Sequence, residues 1–139
     1  MAKTFTPPYP QTIKNAVVRV NNASGTTLQT LRTASAEGDR VDTIMATSTD
    51  TSNRDFGVYL TIGGTDYLIG TVQIPATAGF VNNVPTVDVL RAANMPGVPL
   101  DAYGNRCLLL ASGTVLKVGA LVAVTAAKQV DFFAPVGEY

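Results

Sequence analysis

From Phe56 the chain alternates, with apolar Phe56, Val58, Leu60 and Ile62 separated by Gly57, Tyr59 and Thr61. A period of two marks a strand with one buried and one exposed face. Gly63-Gly64 follows at once, supplying the positive φ of a tight hairpin turn. The next segment sets Leu68, Val72 and Ile74 on one face and Tyr67, Thr71 and Gln73 on the other, completing a β-hairpin. Phe56, Val58, Leu60, Leu68, Val72 and Ile74 are thereby predicted to form the heart of the core, with Tyr59 and Tyr67 together on the outward side.

Elsewhere the alternation is weaker. Residues 15–23 set Ala16, Val18 and Val20 against Asn15, Arg19 and Asn21, with Val17 as the exception, and stop at Ala23-Ser24-Gly25. Residues 26–33 and 40–49 read as further strands, and residues 48–53 as a polar loop leading into the hairpin. Late in the chain, residues 106–111, 114–118, 120–125 and 130–134 are short, apolar and partly β-branched or aromatic. The pattern predicts an all-β domain of about eight antiparallel strands, a sandwich or a barrel. One segment differs: Thr86 precedes Val87 to Ala93 as an N-cap candidate, and Asn94 and Pro96-Gly97 close the stretch, predicting a short helix. It lies in a long connection, residues 75–105, rich in Pro, Gly and Asn. Long ordered loops of that kind usually have a function.

Residues 15–139 are read as one domain and residues 1–14 as an extended N-terminal arm. Phe5, Pro7, Pro8, Tyr9 and Pro10 join a stiff polyproline-like backbone to aromatic area, so docking costs the arm little entropy. Two roles fit: covering an edge of its own core, or docking on a neighbouring subunit.

Composition narrows the function. At 139 residues and 46% apolar content the chain has material for one core, while charged residues are only 14% against a typical ~25%. Ten basic residues balance ten acidic ones, so the charge excess that drives nucleic-acid binding by counterion release is missing. Nucleic acid is not an expected partner. A surface so poorly charged is weakly protected against self-association. Packing against other protein removes that difficulty.

There is no histidine and one cysteine, Cys107. Ser-His-Asp and Cys-His catalysis and the histidine-containing zinc sites are thereby excluded. Cys107 adjoins Leu108-Leu109-Leu110 and reads as a small core residue. Asp50, Ser52, Asn53 and Asp55 gather oxygen ligands, but Arg54 sits among them and the glycine and terminal glutamate of a calcium loop are missing, so a solvated turn is expected. The same holds for Asp101, Tyr103, Gly104 and Asn105. The only glutamates, Glu37 and Glu138, do not suggest the paired carboxylates of a glycosidase. No catalytic residue, cofactor or metal is expected. The amino-terminal MAKTFTPPYP lacks a signal h-region and residues 115–127 are too short and interrupted to span a bilayer, so no membrane is expected and synthesis in a reducing cytoplasm is.

Three stretches, AKTFTPPYPQTIKNAVVRVNNASGTTLQTL, IMATSTDTSNRDFGVYLTIGGTDYLIGTVQIPA and DVLRAANMPGVPLDAYGNRCLLL, together resemble the small structural proteins of tailed-bacteriophage heads, in particular the capsid cement (decoration) proteins of short-tailed phages. The resemblance covers essentially the whole chain and implies a jelly-roll sandwich, bound as a homodimer to the outer surface of an icosahedral capsid. There it would bridge major capsid protein subunits. On this expectation Phe5, Pro7, Pro8, Tyr9, Pro10, Tyr59 and Tyr67 are the candidate partner contacts. A phage-borne carbohydrate-binding or host-attachment module is the alternative, for which Tyr59 and Tyr67 would supply the aromatic platform.

Overall fold

The computed structural model describes residues 10–95 and 106–139. In them ten strands form: β1 (Thr12–Asn21), β2 (Gln29–Thr33), β3 (Asp39–Val41), β4 (Met45–Ser48), β5 (Arg54–Ile62), β6 (Thr65–Ile74), β7 (Val87–Asp88), β8 (Leu108–Leu110), β9 (Val115–Ala120) and β10 (Gln129–Glu138). All pairings are antiparallel. The second sheet runs β2-β9-β5-β6, and in the first β10 lies between β1 and the two short strands β4 and β3. β7 pairs with β4 and β8 with β3 on the far side. Each sheet is therefore four rows wide, and the protein is an all-β sandwich.

The rows close on a core in which alternate residues of both sheets meet. Phe56 of β5 and Phe132 of β10 touch edge to face, with centroids 5.0 Å apart and planes at 68°. Val20, Val41, Ala46, Val58, Leu116, Val118, Val130 and Ala134 surround them with next to no exposure. Aromatic pairs favour this geometry because the positive ring edge meets the negative face.

The hairpin forms as its alternation predicts, with Gly63 and Gly64 at φ +59° and +82°. Its register then slips: Val58 pairs with Gly70 but Tyr59 with Leu68, leaving Ile69 as an extra residue on β6. Beyond such a bulge every side chain changes face. Leu68, expected in the core, is 57% exposed, and Leu60 is only partly buried. Phe56, Val58, Val72 and Ile74 are core residues as expected.

Other boundaries shift for identifiable reasons. β1 begins at Thr12, so three residues assigned to the arm are strand, all paired with β10. The stretch 40–49 is two strands, because between Val41↔Val136 and Met45↔Phe133 one strand advances four residues and the other three. That gap falls opposite Ala134 and Pro135, so the residue that has no N–H to donate sits where the ladder is already interrupted. The apolar run after Ala120 is not a strand; β9 ends there, and Leu121 and Val122 are exposed in a turn while Val124 is buried.

The short helix is absent from residues 86–93. Instead, Val87 and Asp88 pair with Ala46 and Met45, and Val89 N–H donates to Ile44 O at 2.8 Å. Only a single 3-10 turn, Val89–Arg91, remains, and its N-cap is Asp88 rather than Thr86. A β-branched segment has modest helix propensity, and an open strand edge offered its backbone better partners.

Truncation separates the two kinds of position. Phe132→Ala should lose about 3–5 kcal/mol in denaturant titration, whereas Leu68→Ala should lose less than about 1 kcal/mol. Equal losses would show that the bulge is misplaced.

Candidate functional site

The two buried carboxylates, Asp39 and Asp50, serve as staples. Asp50 is fully buried and accepts from Arg54 Nε at 2.7 Å, Thr125 N–H at 2.9 Å, Thr125 Oγ1 at 2.8 Å and Ser52 N–H at 3.0 Å. It ties the loop before β5 to the loop before β10. The loop is therefore neither a calcium cradle nor a fully solvated turn. Burial pushes the carboxyl pKa up most, but the donors on Thr125, Arg54 and Ser52 outweigh it and hold Asp50 far below the usual carboxylate range. At the other end of β10, Arg32 reaches from β2 to Asp39 at 2.6 Å and to Glu138, joining the second sheet to the first. Asp39 is again raised by burial but lowered on balance by Arg32 and Ser35. Among the described residues no group of three or more His, Cys, Asp or Glu is placed to hold a metal.

What the fold leaves open is a surface. On β10, Val130, Phe132, Ala134 and Val136 point into the core, so Asp131, Phe133, Pro135 and Gly137 point out. On β1, Ala16 and Val20 point in, and Ile13, Val17 and Arg19 point out. The register sets Val17 against Phe133, Ile13 against Gly137 and Arg19 against Asp131. Ile13 is 81%, Val17 67% and Phe133 42% exposed. Met45 of β4 pairs with Phe133 and extends the apolar stripe by one row, and Leu109 of β8 is exposed on the same face in the Gly137 row, beyond Arg40. Arg19 and Asp131, bonded at 2.8 and 3.1 Å, neutralise each other at the rim of the stripe. A groove lies between that pair and the Val17–Phe133 pair, lined by β1 and β10 alone. Among the described residues β1 is also an edge strand of ten residues, paired on one side only. Such an edge presents a row of backbone donors and acceptors to another chain.

The expected contact residues are distributed unevenly. Phe5, Pro7, Pro8 and Tyr9 lie outside the described residues, as do Asp101, Tyr103, Gly104 and Asn105. Pro10 is described, and sits against the outer side of Gly137. Tyr59 and Tyr67 do not come together: Tyr59 pairs with Leu68 and Leu60 with Tyr67, which places the two rings on opposite faces. The bulge is the reason. The exposure of Ile13, Val17 and Phe133 was not expected, although Val17 as the exception to the alternation of residues 15–23 was a sign of it. Of Leu108-Leu109-Leu110 the middle residue is the exposed one.

No helix among the described residues is long and apolar enough to cross a membrane. The chain matches no family model and no curated protein.

The staples predict acid sensitivity. A carboxylate with a lowered folded pKa stabilises above its unfolded value of ~3.9, and that stabilisation is lost as pH falls toward the folded value. Stability should be nearly level from about pH 5.5 to 8, as the chain has no histidine, and should decline below about pH 4. Asp50→Asn should cost about 2–4 kcal/mol at neutral pH and flatten the acid limb. An unchanged acid limb in urea titrations of the variant would remove Asp50 as its cause.

Proposed function

We propose that this protein is a structural virion protein, a cement or decoration subunit that binds the outer surface of an icosahedral phage capsid and bridges major capsid protein subunits. The observation that carries the reading is the apolar outer face of Ile13, Val17 and Phe133 beside the open edge of β1. A contiguous apolar surface on a small domain marks a protein-binding site. It supplies desolvation energy, and the strand edge supplies hydrogen bonds in fixed register. The sequence resemblance points to the same role.

The jelly-roll assignment is part of the proposal. Counting β3 with β4 and β7 with β8 as single rows, the first sheet reads first, last, third and sixth row in chain order, and the second reads second, seventh, fourth and fifth. Two Greek keys folded over each other have this interleaved order. A homodimer also belongs to it, since an edge such as β1 pairs antiparallel with a copy of itself across a two-fold axis. The partners are then the major capsid protein and a second copy, and the location is the virion surface after synthesis in the host cytoplasm. The attachment-module alternative loses the aromatic platform on which it rested, because Tyr59 and Tyr67 face opposite ways.

Co-sedimentation with shells assembled from the major capsid protein of the same phage tests the reading. Binding should persist from ~0.05 to ~0.5 M salt, where the Debye length shrinks from roughly 14 to 4 Å, because apolar contacts are weakly screened. Val17→Asp and Phe133→Asp should each abolish it while leaving the core intact. Steep loss of binding with salt, or full binding by both variants, would reject the proposed interface.

A further inference from the structure

β4 sends Ala46 and Ser48 into the core, so Met45 and Thr47 stand on the outer side of the first sheet, with Thr47 next to Asp131. Against Thr47 lies the loop that joins β6 to β7. A Cβ on Gly79 would stand 2.8 Å from Thr47 Cγ2 and 2.6 Å from Thr86 Cγ2, so the loop borders the same outer face as Val17 and Phe133. Its foot is fixed. Thr77 N–H donates to Asp50 O at 2.9 Å and Ser48 N–H to Ala78 O at 2.8 Å. Higher up, Gly79 N–H donates to Val84 O at 2.8 Å, and Phe80 and Val81 N–H both donate to Thr77 O, at 3.0 and 3.2 Å. Thr77 takes φ +58° in this turn, a left-handed conformation that strains a β-branched residue. Ala78 is fully buried and Val84 packs on the core, whereas Phe80 is 67% and Val81 44% exposed. A strained, internally bonded loop thus holds a phenylalanine out in water.

We propose that Phe80 is a preformed anchor that enters an apolar pocket of the shell protein seated on Val17 and Phe133. The inference rests on the reading of that outer face as the partner surface, and adds the element that fixes the partner's position on it. The occupant follows from continuity. Thr47 and Asp131 join the loop to the apolar stripe, and with rows ~4.8 Å apart β4 lies only about 10 Å from β1, inside the ~800 Å² that one partner covers in a standard interface. The chemistry of the pocket follows from the loop. Residues 75–86 carry no charge, so neither an ion pair nor an anionic lipid headgroup draws them in, and one protruding aromatic beside a valine is complemented by a concave apolar site. Because the loop is already ordered, burying Phe80 there loses little entropy. A flat stripe alone leaves a partner free to slide along the strands; a side chain set into a pocket at its border stops that. The amides of Gly79, Phe80 and Val81 are already bonded within the loop, so the contact is read at the side chain.

Affinity for shells assembled from the major capsid protein, measured by co-sedimentation, tests the anchor. Phe80→Ala should weaken binding roughly 30-fold without abolishing it. Gly79→Ala should weaken it comparably, because the added Cβ displaces the loop from Thr47 and Thr86 while Phe80 is intact. Leu68→Ala, comparably exposed but on β6 of the second sheet, should bind as the parent does, and circular dichroism of each variant verifies the fold. With p-benzoylphenylalanine in place of Phe80, irradiation should crosslink the chain to the capsid protein. Parent-like binding by Phe80→Ala or by Gly79→Ala, or an adduct with a second copy of this chain in place of the capsid protein, would overturn the anchor. The two readings fail separately: Val17→Asp released from the shell with Phe80→Ala retained at full affinity removes the anchor alone, whereas Val17→Asp retained at full affinity removes the face and the anchor with it.

Discussion

A strand buries only one of two consecutive phenylalanines. Phe132 and Phe133 are adjacent on β10, and Phe132 takes the inner place, where it meets Phe56 from the opposite sheet. Phe133 is then committed to the outside by the period of two. The antiparallel register of β1 multiplies the effect, because it sets Val17 opposite Phe133 and Val18 opposite Phe132. The same alternation that builds the core therefore prints an apolar stripe on the outer surface. Shifting β1 by one residue would put Arg19 and Asn21 into the core, so the stripe cannot be withdrawn without destroying the fold.

The two ends of the sandwich are pinned by buried carboxylates. β10 spans the molecule, with the Asp50–Arg54–Thr125 staple near its start and the Arg32–Asp39–Glu138 staple at its finish. Each joins segments far apart in sequence and satisfies a buried carboxylate with several donors. Much of the sparse charge is thus consumed internally or in local pairs such as Arg19–Asp131 and Lys117–Asp66. Little remains for long-range attraction. The chain suits recognition by shape, apolar contact and backbone hydrogen bonds.

The strands with strict alternation were legible in the sequence. β5 and the second half of β6 follow their pattern, and Ala16 and Val20 of β1 point inward as expected. What failed had physical causes. The Ile69 bulge reversed Tyr67 and Leu68, although the adjacent apolar pair before Gly70 was a sign of broken alternation. Val87 and Asp88 were drawn into strand pairing by β4, a partner some forty residues earlier. Thr125, seventy-five residues from Asp50, left no local trace of the staple it completes. Of the expected contact residues, only Pro10 could be followed onto this face, through Gly137. The stripe itself was legible only as an anomaly, Val17 standing where a polar residue was due.

The account stands on the outer face of β1 and β10 being the surface that meets another protein. Amide hydrogen exchange, compared between the free chain and the chain bound to the proposed capsid shell, tests that directly. The account predicts new protection concentrated in β1, from Ile13 to Arg19, with the outer face of β5 and β6 unchanged. Protection that appears instead around Tyr67 and Leu68, with β1 exchanging as in the free chain, would contradict it.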